Sequence, residues 1–343
     1  MVEVGKFGNK TIVIDGRYIH VFKAGELLKK VAYMLYLLPD GNLYKYRRTI
    51  TIKERSGKDL TDYQVKIEII GDDPIFAHAR SAGEDIRFCY HLEEDMIPHW
   101  IEKFDPTNKE AIIWVKVPKI PANSEIKIYM YYGNLEVASA SDGEATFVFF
   151  DDFEGKTRTT WYTTGSHNVF VASDYYYHGS YSLKKPSYSG WEAQYTYISI
   201  PNEFVMRFAF RTSNHDYENR IYLWNSDRSE YYFMLAPANY NRNDQSITYY
   251  SGGTEVTTGF GGEIPNNYWR VYEVFVYGNK IRAREIRDES GDTGWLSFDG
   301  IPQLDKYAFG FLSKPELEHW FDYWIIRKYT EPEPSVSVGV EEE

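Results

Sequence analysis

The sequence has little cysteine, a shortage of basic charge and no long apolar run, and each shortage excludes a class of protein. Its one cysteine, Cys89, cannot form an internal disulfide, so packing must stabilise the fold. Acidic residues outnumber basic ones by 50 to 38, for a formal charge of −12, and no basic cluster is present to bind a nucleic acid. No segment approaches the roughly 18 apolar residues of a membrane helix, so we expect neither nucleic acid binding nor membrane insertion.

Motifs for several catalytic chemistries are also missing. The chain has no Gly-x-Ser-x-Gly motif for a nucleophilic serine and no glycine-rich loop for phosphate. Its eight histidines are scattered, and no pair has the spacing of a zinc motif. The single cysteine cannot supply the cysteine pair of such a motif. We therefore expect no activated nucleophile, phosphate loop or zinc site.

Aromatic residues are the most abundant feature of the composition. They make up 17% of the chain, with 31 tyrosines. Tyrosine and tryptophan combine a large apolar face with a polar tip, which suits β-sheet surfaces and the recognition of sugars or proteins. At 343 residues the chain is long enough for two domains that each bury a core.

Alternating apolar and polar residues predict β-strands along most of the chain. Near the N-terminus, Asp15-Gly16 and the run PDGN at 39–42 are turn signals between short alternating runs. We therefore expect residues 1–45 to form a β-hairpin arm, which is marginally stable alone and packs on the rest of the chain or on another subunit. Helical spacing is confined to part of GELLKKVAYML, where β-branched and aromatic residues argue against a long helix.

From Tyr46 the strand signals become denser. Residues 46–145 hold six to eight short runs, which is typical of an antiparallel β-sandwich. The segments YRRTITI, LTDYQVKIEI, IPHWIE and AIIWVKVPKIPANSEIKIYMYYGN, followed by FFDDFEG, resemble a domain-of-unknown-function family of archaeal and bacterial surface proteins. The resemblance covers about residues 46–134 and implies a domain that often precedes a concanavalin A-like module. The family itself has no assigned activity.

The second half resembles a different family. HGSYSLKK, the hairpin VYEVFVYGNKIRAREI and the closing run HWFDYWIIRKY are similar to concanavalin A-like, laminin-G-type domains. The resemblance implies two antiparallel sheets in jelly-roll order across residues 146–330, with the first and last strands side by side. We therefore predict an all-β chain with two β-sandwiches in tandem after the hairpin arm. Residues 331–343 are expected to add an edge strand, SVSVGV, with the first sandwich as one acceptor, and to end in a solvated tail of three glutamates.

The run FFDDFEG, residues 149–155, places adjacent carboxylates, Asp151 and Asp152, among phenylalanines. Neighbouring residues of a strand face opposite sides of a sheet. These two carboxylates therefore cannot act together on one substrate atom, and we interpret the run as the first strand of the second domain.

The resemblance to concanavalin A-like domains implies a calcium ion where the entry and exit strands meet. Asp152 and Asp322 are then the candidate calcium ligands, completed by main-chain carbonyl groups and waters to the six to eight oxygens that calcium takes. Glu154 or Glu316 would supply a further oxygen. In the alternative interpretation, Asp152 and Asp322 cap loops or pair with an arginine such as Arg327.

A glycosidase is the catalytic alternative, because the fold that the second resemblance implies also includes glycoside hydrolases. A retaining enzyme needs two carboxyl groups about 5 Å apart, supplied by alternate residues on one strand face. The nearest run, EIRDES, contains Glu285, Asp288 and Glu289, but it lies where a strand exits into a turn-rich loop. We interpret the run as a solvated hairpin end and predict that the protein is not an enzyme.

Aromatic residues near turns are the candidates for sugar binding. SDYYYHGSYS and SGWEAQYTY concentrate rings in this way, and Asn225 and Asp227 are among the polar loop residues that would bond sugar hydroxyls. The alternative for each ring is packing against the core or a cross-strand neighbour. The predicted carbohydrate-binding residues are Trp161, Tyr176, Trp191, Tyr250 and Trp295.

We therefore interpret the chain as a non-catalytic surface protein. Its second sandwich would bind a polysaccharide or a glycoprotein surface, with the first sandwich and the arm as a spacer or assembly platform. A second hypothesis is a structural subunit of a filament or virion, a homo-oligomer in which the arm and SVSVGV add strands to neighbouring copies. A glycoside hydrolase is the third hypothesis.

The N-terminus lacks the apolar segment of a secretory signal. We nevertheless expect the protein to be extracellular, on the cell surface or part of a virion. Either the sequence is trimmed, or the protein reaches its location without a signal. Few cysteines and methionines, with abundant tyrosine, glutamate, lysine and isoleucine, are typical of thermophiles, and the resemblance points to archaea.

Overall fold

The computed structural model consists mainly of antiparallel β-strands, which confirms the predicted all-β class and the N-terminal β-hairpins. The residues it describes are 2–7, 10–15, 18–23, 26–32, 35–187, 192–213, 219–238, 245–261, 267–286, 291–302, 304–313 and 317–343. The chain divides into two compact units: unit 1 is Met1–Thr146 with Pro332–Glu343, and unit 2 is Phe147–Glu331. Unit 2 is thus inserted into the sequence of unit 1, which takes in the N-terminal arm and the C-terminal segment.

The strands of unit 1 before the insertion are β1 (Val2–Phe7), β2 (Lys10–Asp15), β3 (Tyr18–Lys23), β4 (Glu26–Ala32), β5 (Tyr36–Leu37), β6 (Leu43–Tyr44), β7 (Tyr46–Lys53), β8 (Leu60–Ile70), β9 (Arg87–Cys89), β10 (His99–Asp105), β11 (Glu110–Ile120) and β12 (Glu125–Tyr132). Two four-residue helices follow β8 and β12, namely α1 (Ile75–His78) and α2 (Gly143–Thr146). Within the described ranges, no helix is long and apolar enough to cross a membrane.

The strands of unit 2 are β13 (Phe149–Asp151), β14 (Tyr162–Thr163), β15 (Phe170–Ala172), β16 (Ser182–Lys185), β17 (Glu192–Ile198), β18 (Phe204–Thr212), β19 (Asn219–Trp224), β20 (Tyr231–Ala238), β21 (Gln245–Ser251), β22 (Thr254–Gly261), β23 (Arg270–Tyr277), β24 (Lys280–Glu285), β25 (Leu296–Ser297), β26 (Tyr307–Ser313) and β27 (His319–Lys328). The last strand of the chain belongs to unit 1 and is β28 (Ser335–Glu342).

The N-terminal strands β1–β4 form a four-stranded sheet in chain order, each pairing antiparallel with the next. The turn predicted at 39–42 joins the short pair β5 and β6. Gly41 there has a φ of +78°, and its N–H donates to the carbonyl of Leu38 at 2.9 Å. The Asp40 carboxylate accepts the N–H of Asn42 at 3.0 Å, the local bond that favours aspartate in turns.

Two further sheets of unit 1 share an aliphatic core. β10, β11 and β8 form one sheet in that order, and β28, β7, β12 and β9 form the other. Since β7 and β8 lie in different sheets, the Ser56-Gly57 segment crosses between sheets instead of closing a hairpin. In both strands, buried aliphatic residues alternate with more exposed ones, as the sequence pattern indicates. The core includes Ile50, Ile52, Val65, Ile67, Ile69, Ile113, Ile128 and Met130.

The C-terminal strand returns to unit 1, where β28 pairs antiparallel with β7 at the edge of its sheet. The register shifts between Val338 and Glu341. Gly339 lies within this shift, and a Cβ atom there would be 2.8 Å from the carbonyl oxygen of Thr49. The two main chains therefore come close at a point that only glycine tolerates.

Each of the last three glutamates lies beside a basic residue or a histidine of unit 1. We expected residues 341–343 to be a solvated tail, but Glu341 and Glu342 belong to β28 and only Glu343 is exposed beyond it. Such pairs at a surface each stabilise a protein by less than about 1 kcal/mol, so the main-chain pairing and the packing of Val336 and Val338 hold the strand. The pairs are Glu341 with His78, Glu342 with Arg47, and Glu343 with Lys45.

Unit 2 is a sandwich of two larger sheets. One sheet contains β15, β16, β27, β18, β23, β24 and β25 in that order, with β13 also paired to β27. The other contains β14, β17, β26, β19, β20, β21 and β22. β13 and β27 are the first and last strands of the unit, and their pairing is the one that the resemblance implied. The core between the sheets is rich in aromatic rings such as Phe208, Phe309, Phe321 and Trp324.

We predict that Gly339→Val lowers the free energy of unfolding of unit 1 by about 2 kcal/mol, because the added side chain meets the main chain of β7. Ser337→Val is the matched control, since Ser337 is exposed on the same strand and valine favours strands. Urea denaturation of the full chain measures both variants. Equal losses of stability in the two variants would contradict this placement of β28.

Candidate functional site

One face of the seven-stranded sheet of unit 2 concentrates aromatic and polar side chains. Alternation along each strand sends one set of residues into the core and the other set to the opposite side. In β19, Ile221 and Leu223 belong to the core between the sheets, whereas Tyr222 and Trp224 belong to a separate cluster. We call the side of the sheet that carries Tyr222 and Trp224 the outer face.

Strand register lines up the residues of the outer face in rows that cross the sheet. Each row takes residues from successive strands, which lie about 4.8 Å apart. One row comprises Tyr162, Tyr195, Gly310, Tyr222, Met234, Thr248 and Thr257. The next row comprises Tyr197, Ala308, Trp224, Tyr231, Tyr250 and Glu255. Both rows run from aromatic residues at one edge to polar residues at the other.

The aromatic rings of the outer face pack on one another. The rings of Tyr222 and Trp224 stack with centroids 4.6 Å apart, and Tyr231 lies 5.6 Å from Tyr222 and 5.6 Å from Tyr250. Tyr222 is 6% exposed, so its neighbours fix the position of its ring. Rings held in this way lose little conformational freedom when a ligand binds.

β26 provides a low floor between the rings of its two neighbouring strands. Between the rings, its outward residues are Ala308 and Gly310, which pair with Tyr197 and Tyr195 of β17 on one side and with β19 on the other; Leu312 is the next outward residue. A Cβ atom on Gly310 would lie 2.0 Å from the carbonyl oxygen of Gln194, so no larger residue fits there. These small residues allow aromatic side chains from both sides to cluster over β26.

A groove of about 330 Å³ opens beside these rings, across β19 to β22. Its aromatic lining comes from Tyr222 and Tyr231, and small residues of β20 and β21 lie between them and the sheet edge. A groove with a few polar groups among apolar ones is the usual form of a small-molecule site. The polar lining includes Arg220, Ser246, Thr248, Glu255 and Thr257.

Hydrogen bonds within the groove orient its polar groups. Arg220 Nη1 donates to the hydroxyl of Tyr222 at 3.1 Å, and the Tyr231 hydroxyl donates to the Glu255 carboxylate. Burial raises the pKa of Tyr231, and the bond to Glu255 raises it further, so this hydroxyl remains a neutral donor. Guanidinium and carboxylate groups have several donor or acceptor positions, so such groups can also bond hydroxyl groups of a ligand.

The predicted carbohydrate-binding residues do not come together in the structure. Tyr250 lies on the outer face, beside Tyr231. Trp161 belongs to the core between the two sheets, where it packs against Phe311 and Trp324, so its ring is not available to a ligand. For Trp161, the alternative interpretation as a packing residue is the correct one.

The other three predicted rings lie away from the outer face or outside the described residues. Tyr176 is 48% exposed, in the loop before β16 of the opposite sheet. Trp295 is partly buried and packs on Phe275 and Tyr329, again on the opposite sheet. Trp191 lies outside the described residues.

The sequence analysis missed Tyr222, Trp224 and Tyr231, together with Arg220. Two aromatic residues separated by one aliphatic residue, here Leu223, place both rings on one face of a strand. That spacing was the available signal, and we had favoured rings near turns instead.

Buried carboxylates elsewhere in unit 2 accept hydrogen bonds from main-chain N–H groups. Asp151 accepts the N–H groups of Phe153 and Arg158 at 3.0 and 2.7 Å. Asp322 accepts three main-chain N–H groups, those of Tyr177, His178 and Tyr323, at 2.7, 3.0 and 2.6 Å. Asp322 therefore caps a loop, as the alternative interpretation of the sequence had it.

Burial raises the pKa of Asp151 and Asp322 to about 7, although their main-chain hydrogen bonds favour the ionised form. The neighbouring carboxylates Asp152 and Glu154 add to this rise, on Asp151 and Asp322 respectively. The corner where the first and last strands of unit 2 meet is therefore rich in carboxyl groups, two of which hold their protons up to about pH 7.

The residues at this corner do not fit the predicted calcium site as they stand. In the part of the chain that the structure describes, no group of three or more His, Cys, Asp or Glu side chains could hold a metal ion. Asp152 lies 3.5 Å from Arg158, and both oxygens of Asp322 already accept main-chain N–H groups. Glu154 likewise accepts two such groups, and Glu316 lies outside the described residues. Calcium binding at this corner stays a prediction.

Glu285, the nearest candidate for a catalytic acid, is buried and paired with a cation. Arg270 Nη1 donates to its two carboxylate oxygens at 2.9 and 2.8 Å. The other members of the run, Asp288 and Glu289, lie outside the described residues. This geometry supports a structural role for Glu285.

We predict that Asp151 and Asp322 make a contribution to the unfolding free energy that decreases as pH rises from about 4 to about 7. Their carboxyl groups hold their protons up to about pH 7 when folded but only to about 3.8 when unfolded, so in this window they bind more protons in the folded state. The buried His99 and His319 contribute with the opposite sign, because burial lowers their pKa. Comparison with Asp322→Asn isolates the aspartate contribution: urea midpoints measured in EDTA between pH 4 and 7 should give this variant a more positive slope of stability against pH than the unsubstituted chain. An unchanged slope in that variant would rule out the contribution of Asp322.

If calcium binds at this corner, it should raise the thermal midpoint at pH 7 by neutralising these carboxylates, and Asp322→Asn should abolish the rise. Differential scanning calorimetry with calcium and with EDTA decides this. Magnesium is the control, since it prefers smaller octahedral sites. Identical midpoints in calcium and EDTA would show that the prediction is wrong.

The chain matches one known family. Residues 82–164 match the family described as Domain of unknown function (DUF2341), which confirms the resemblance read from the first half of the sequence. The matched region begins later than the expected residues 46–134 and extends into the start of unit 2. No curated protein sequence matches the chain.

Solved structures resemble about half of the chain at low identity. The T. cruzi calreticulin globular domain is 13% identical, with a TM-score of 0.41 over 54% of this chain and 89% of that one. The carbohydrate-binding module CBM66 from Bacillus subtilis is 8% identical, with a TM-score of 0.36 over 50% and 98%. A Bacteroides ovatus GH16 protein in complex with a G4G4G3G product is 9% identical, with a TM-score of 0.38 over 52% and 99%. At this level of similarity, none of them decides what this chain binds.

Proposed function

We propose that unit 2 binds a polysaccharide on its outer face and does not cleave it. The observation that carries the proposal is the groove of about 330 Å³, which joins packed aromatic rings to hydroxyl and charged groups on one face of the sheet. Aromatic rings stack on the apolar faces of sugar rings, while polar side chains bond the sugar hydroxyls. Both kinds of group are present side by side here.

The length of the residue rows favours a polymer over a single sugar. The row that begins at Tyr162 crosses seven strands, which at about 4.8 Å per step span about 29 Å. The ring of Tyr162 is exposed at one end, and the polar residue Thr257 lies at the other. A linear glycan laid across the strands would contact several of these residues at once.

The carboxylate content of the groove supports binding without hydrolysis. Glu255 is the only carboxylate among the described residues that line the groove, and it accepts a hydrogen bond from Tyr231. Glycoside hydrolysis usually needs two carboxyl groups that face the same bond, about 5 to 10 Å apart. A lone, hydrogen-bonded carboxylate suits the recognition of a hydroxyl group instead.

The same proposal places the protein on a cell surface or virion, with a polysaccharide or glycoprotein as its partner. The filament hypothesis had the arm and SVSVGV add strands to neighbouring copies, but the SVSVGV strand, β28, pairs with β7 of its own chain. This pairing makes carbohydrate binding the better-supported function. Size-exclusion chromatography with light scattering tests whether the chain also forms oligomers.

We predict that Tyr231→Ala and Glu255→Gln each weaken polysaccharide binding by at least tenfold, since the first removes a stacking ring and the second replaces a charged acceptor of hydroxyl groups with a neutral amide. Affinity gel electrophoresis against a panel of soluble plant, algal and bacterial polysaccharides measures the effect. Tyr176→Ala is the matched control, because this exposed tyrosine lies in a loop of the opposite sheet. Binding that survives both groove variants but not Tyr176→Ala would move the site elsewhere. Shortened chains appearing during incubation with any polymer would reject the non-catalytic part of the proposal.

A further inference from the structure

Arg228 occupies an unusual place beside the outer face. It lies in the turn between β19 and β20, with a φ of +63°. This left-handed conformation is one that glycine or asparagine adopts easily and that strains an arginine main chain. A strained residue with a long cationic side chain suggests that the side chain itself has a role.

The guanidinium group of Arg228 lies on an aromatic ring of the outer face. Its central carbon is 4.0 Å from the centroid of the Tyr195 ring. Tyr195 belongs to the same aromatic cluster as Tyr222, which borders the groove. The two tyrosines are two strands apart, or about 10 Å, so a glycan that leaves the groove along the row reaches Arg228.

Arg228 differs from most arginines of unit 2 in its partners. No carboxylate of the described residues forms an ion pair with Arg228, and the adjacent Asp227 accepts the N–H and hydroxyl of Ser229 instead. Arg228 is half-buried, and within the described ranges its charge is not neutralised by an ion pair. By contrast, ion pairs hold Arg158 to Asp152, Arg207 and Arg284 to Glu273, Arg270 to Glu285, and Arg282 to Asp292.

The contact of Arg228 with Tyr195 is made through the ring face, with the guanidinium carbon 4.0 Å from the ring centroid. The N–H donors of a guanidinium group lie in the plane of the group. Two parallel N–H groups match the two oxygens of a carboxylate in a bidentate pair. A sugar lying next to Tyr195 would present its substituents to these donors.

We propose that Arg228 binds the carboxylate of a uronic acid unit, so that the outer face takes an acidic polysaccharide. This inference rests on the proposed function and narrows its ligand. The net charge of −12 does not oppose it locally, because charges more than about 8 Å apart are largely screened at physiological ionic strength. Asp227 and Glu230 lie in the same turn as Arg228, yet within the described ranges neither forms an ion pair with its guanidinium group.

The test compares polyuronates with the same polymers after reduction of their carboxyl groups to primary alcohols. Polygalacturonate, polyglucuronate and alginate are suitable probes, each paired with its neutral reduced form, and isothermal titration calorimetry measures binding to the full chain. We expect reduction to weaken binding of the unsubstituted protein to its preferred polymer at least tenfold. Arg228→Asn should show the same loss with the acidic polymer and no change with the neutral one.

Arg228→Asn also separates binding from folding. Asparagine tolerates the left-handed conformation, so this variant should have a thermal midpoint no lower than that of the original chain while it loses the preference for the acid. Arg228→Lys keeps the charge without the planar donor pair and should retain only part of the preference. Arg282→Asn, which breaks an ion pair on the opposite sheet, is the control and should leave binding unchanged.

Each outcome bears on a different claim. Equal binding of acidic and neutral polymers, unaffected by Arg228→Asn, would overturn the uronate inference and leave the proposed function standing. Tighter binding of a sulfated galactan than of any polyuronate, lost in Arg228→Asn, would show that Arg228 binds sulfate and would also overturn it. If no polymer binds, acidic or neutral, the proposed function itself fails.

Discussion

Buried carboxylates that accept main-chain N–H groups hold the loops of both units in place. A turn leaves N–H groups without partners, and an ionised carboxylate, which only accepts hydrogen bonds, satisfies several at once. Burial alone would raise the pKa of Glu54, but its bonds to Ser56, Gly57 and Asn123 outweigh burial and lower it to about 2. Asp85 accepts N–H groups of three residues in the same way, namely Arg80, Gly133 and Asn134.

The described buried carboxylates of unit 2 named above already have hydrogen-bond or ion-pair partners within the chain. Asp151 and Asp322 are occupied by loop N–H groups. Glu273 is held between arginines, which overcome the effect of burial and lower its pKa to about 2. With the loops fixed from within, the outer face can present aromatic rings at defined positions without contributing to the core. The small residues of β26 complete this arrangement, since they leave space for rings from both neighbouring strands.

The strands and several turns were predictable from the sequence, because the two-residue period and the Gly, Asp and Asn turn signals act locally. The turn at 39–42 and the pairing of β28 with unit 1 are examples. The candidate site was less predictable, because it depends on which distant strands become neighbours. Tyr195 and Tyr222 are brought together by Gly310, which lies about 90 residues further along the chain.

Burial was the other property that composition did not reveal. Trp161 and the exposed Tyr176 have similar sequence surroundings, with polar residues and turn signals nearby, yet one ring fills the core and the other lies in solvent. The acidic tail was misjudged for a related reason. Three consecutive glutamates usually indicate a solvated segment. Here β28 pairs with β7, and Arg47 of β7 forms an ion pair with Glu342.

The central claim is that the outer face of unit 2 is a binding surface for carbohydrate. A crystal structure of the chain with a bound oligosaccharide, obtained from whichever polymer binds most tightly in solution, tests it most directly. The account predicts sugar density across β19 to β22, in contact with Tyr222, Tyr231 and Glu255. Density confined to the loop that carries Tyr176, or anywhere on the opposite sheet, would contradict it.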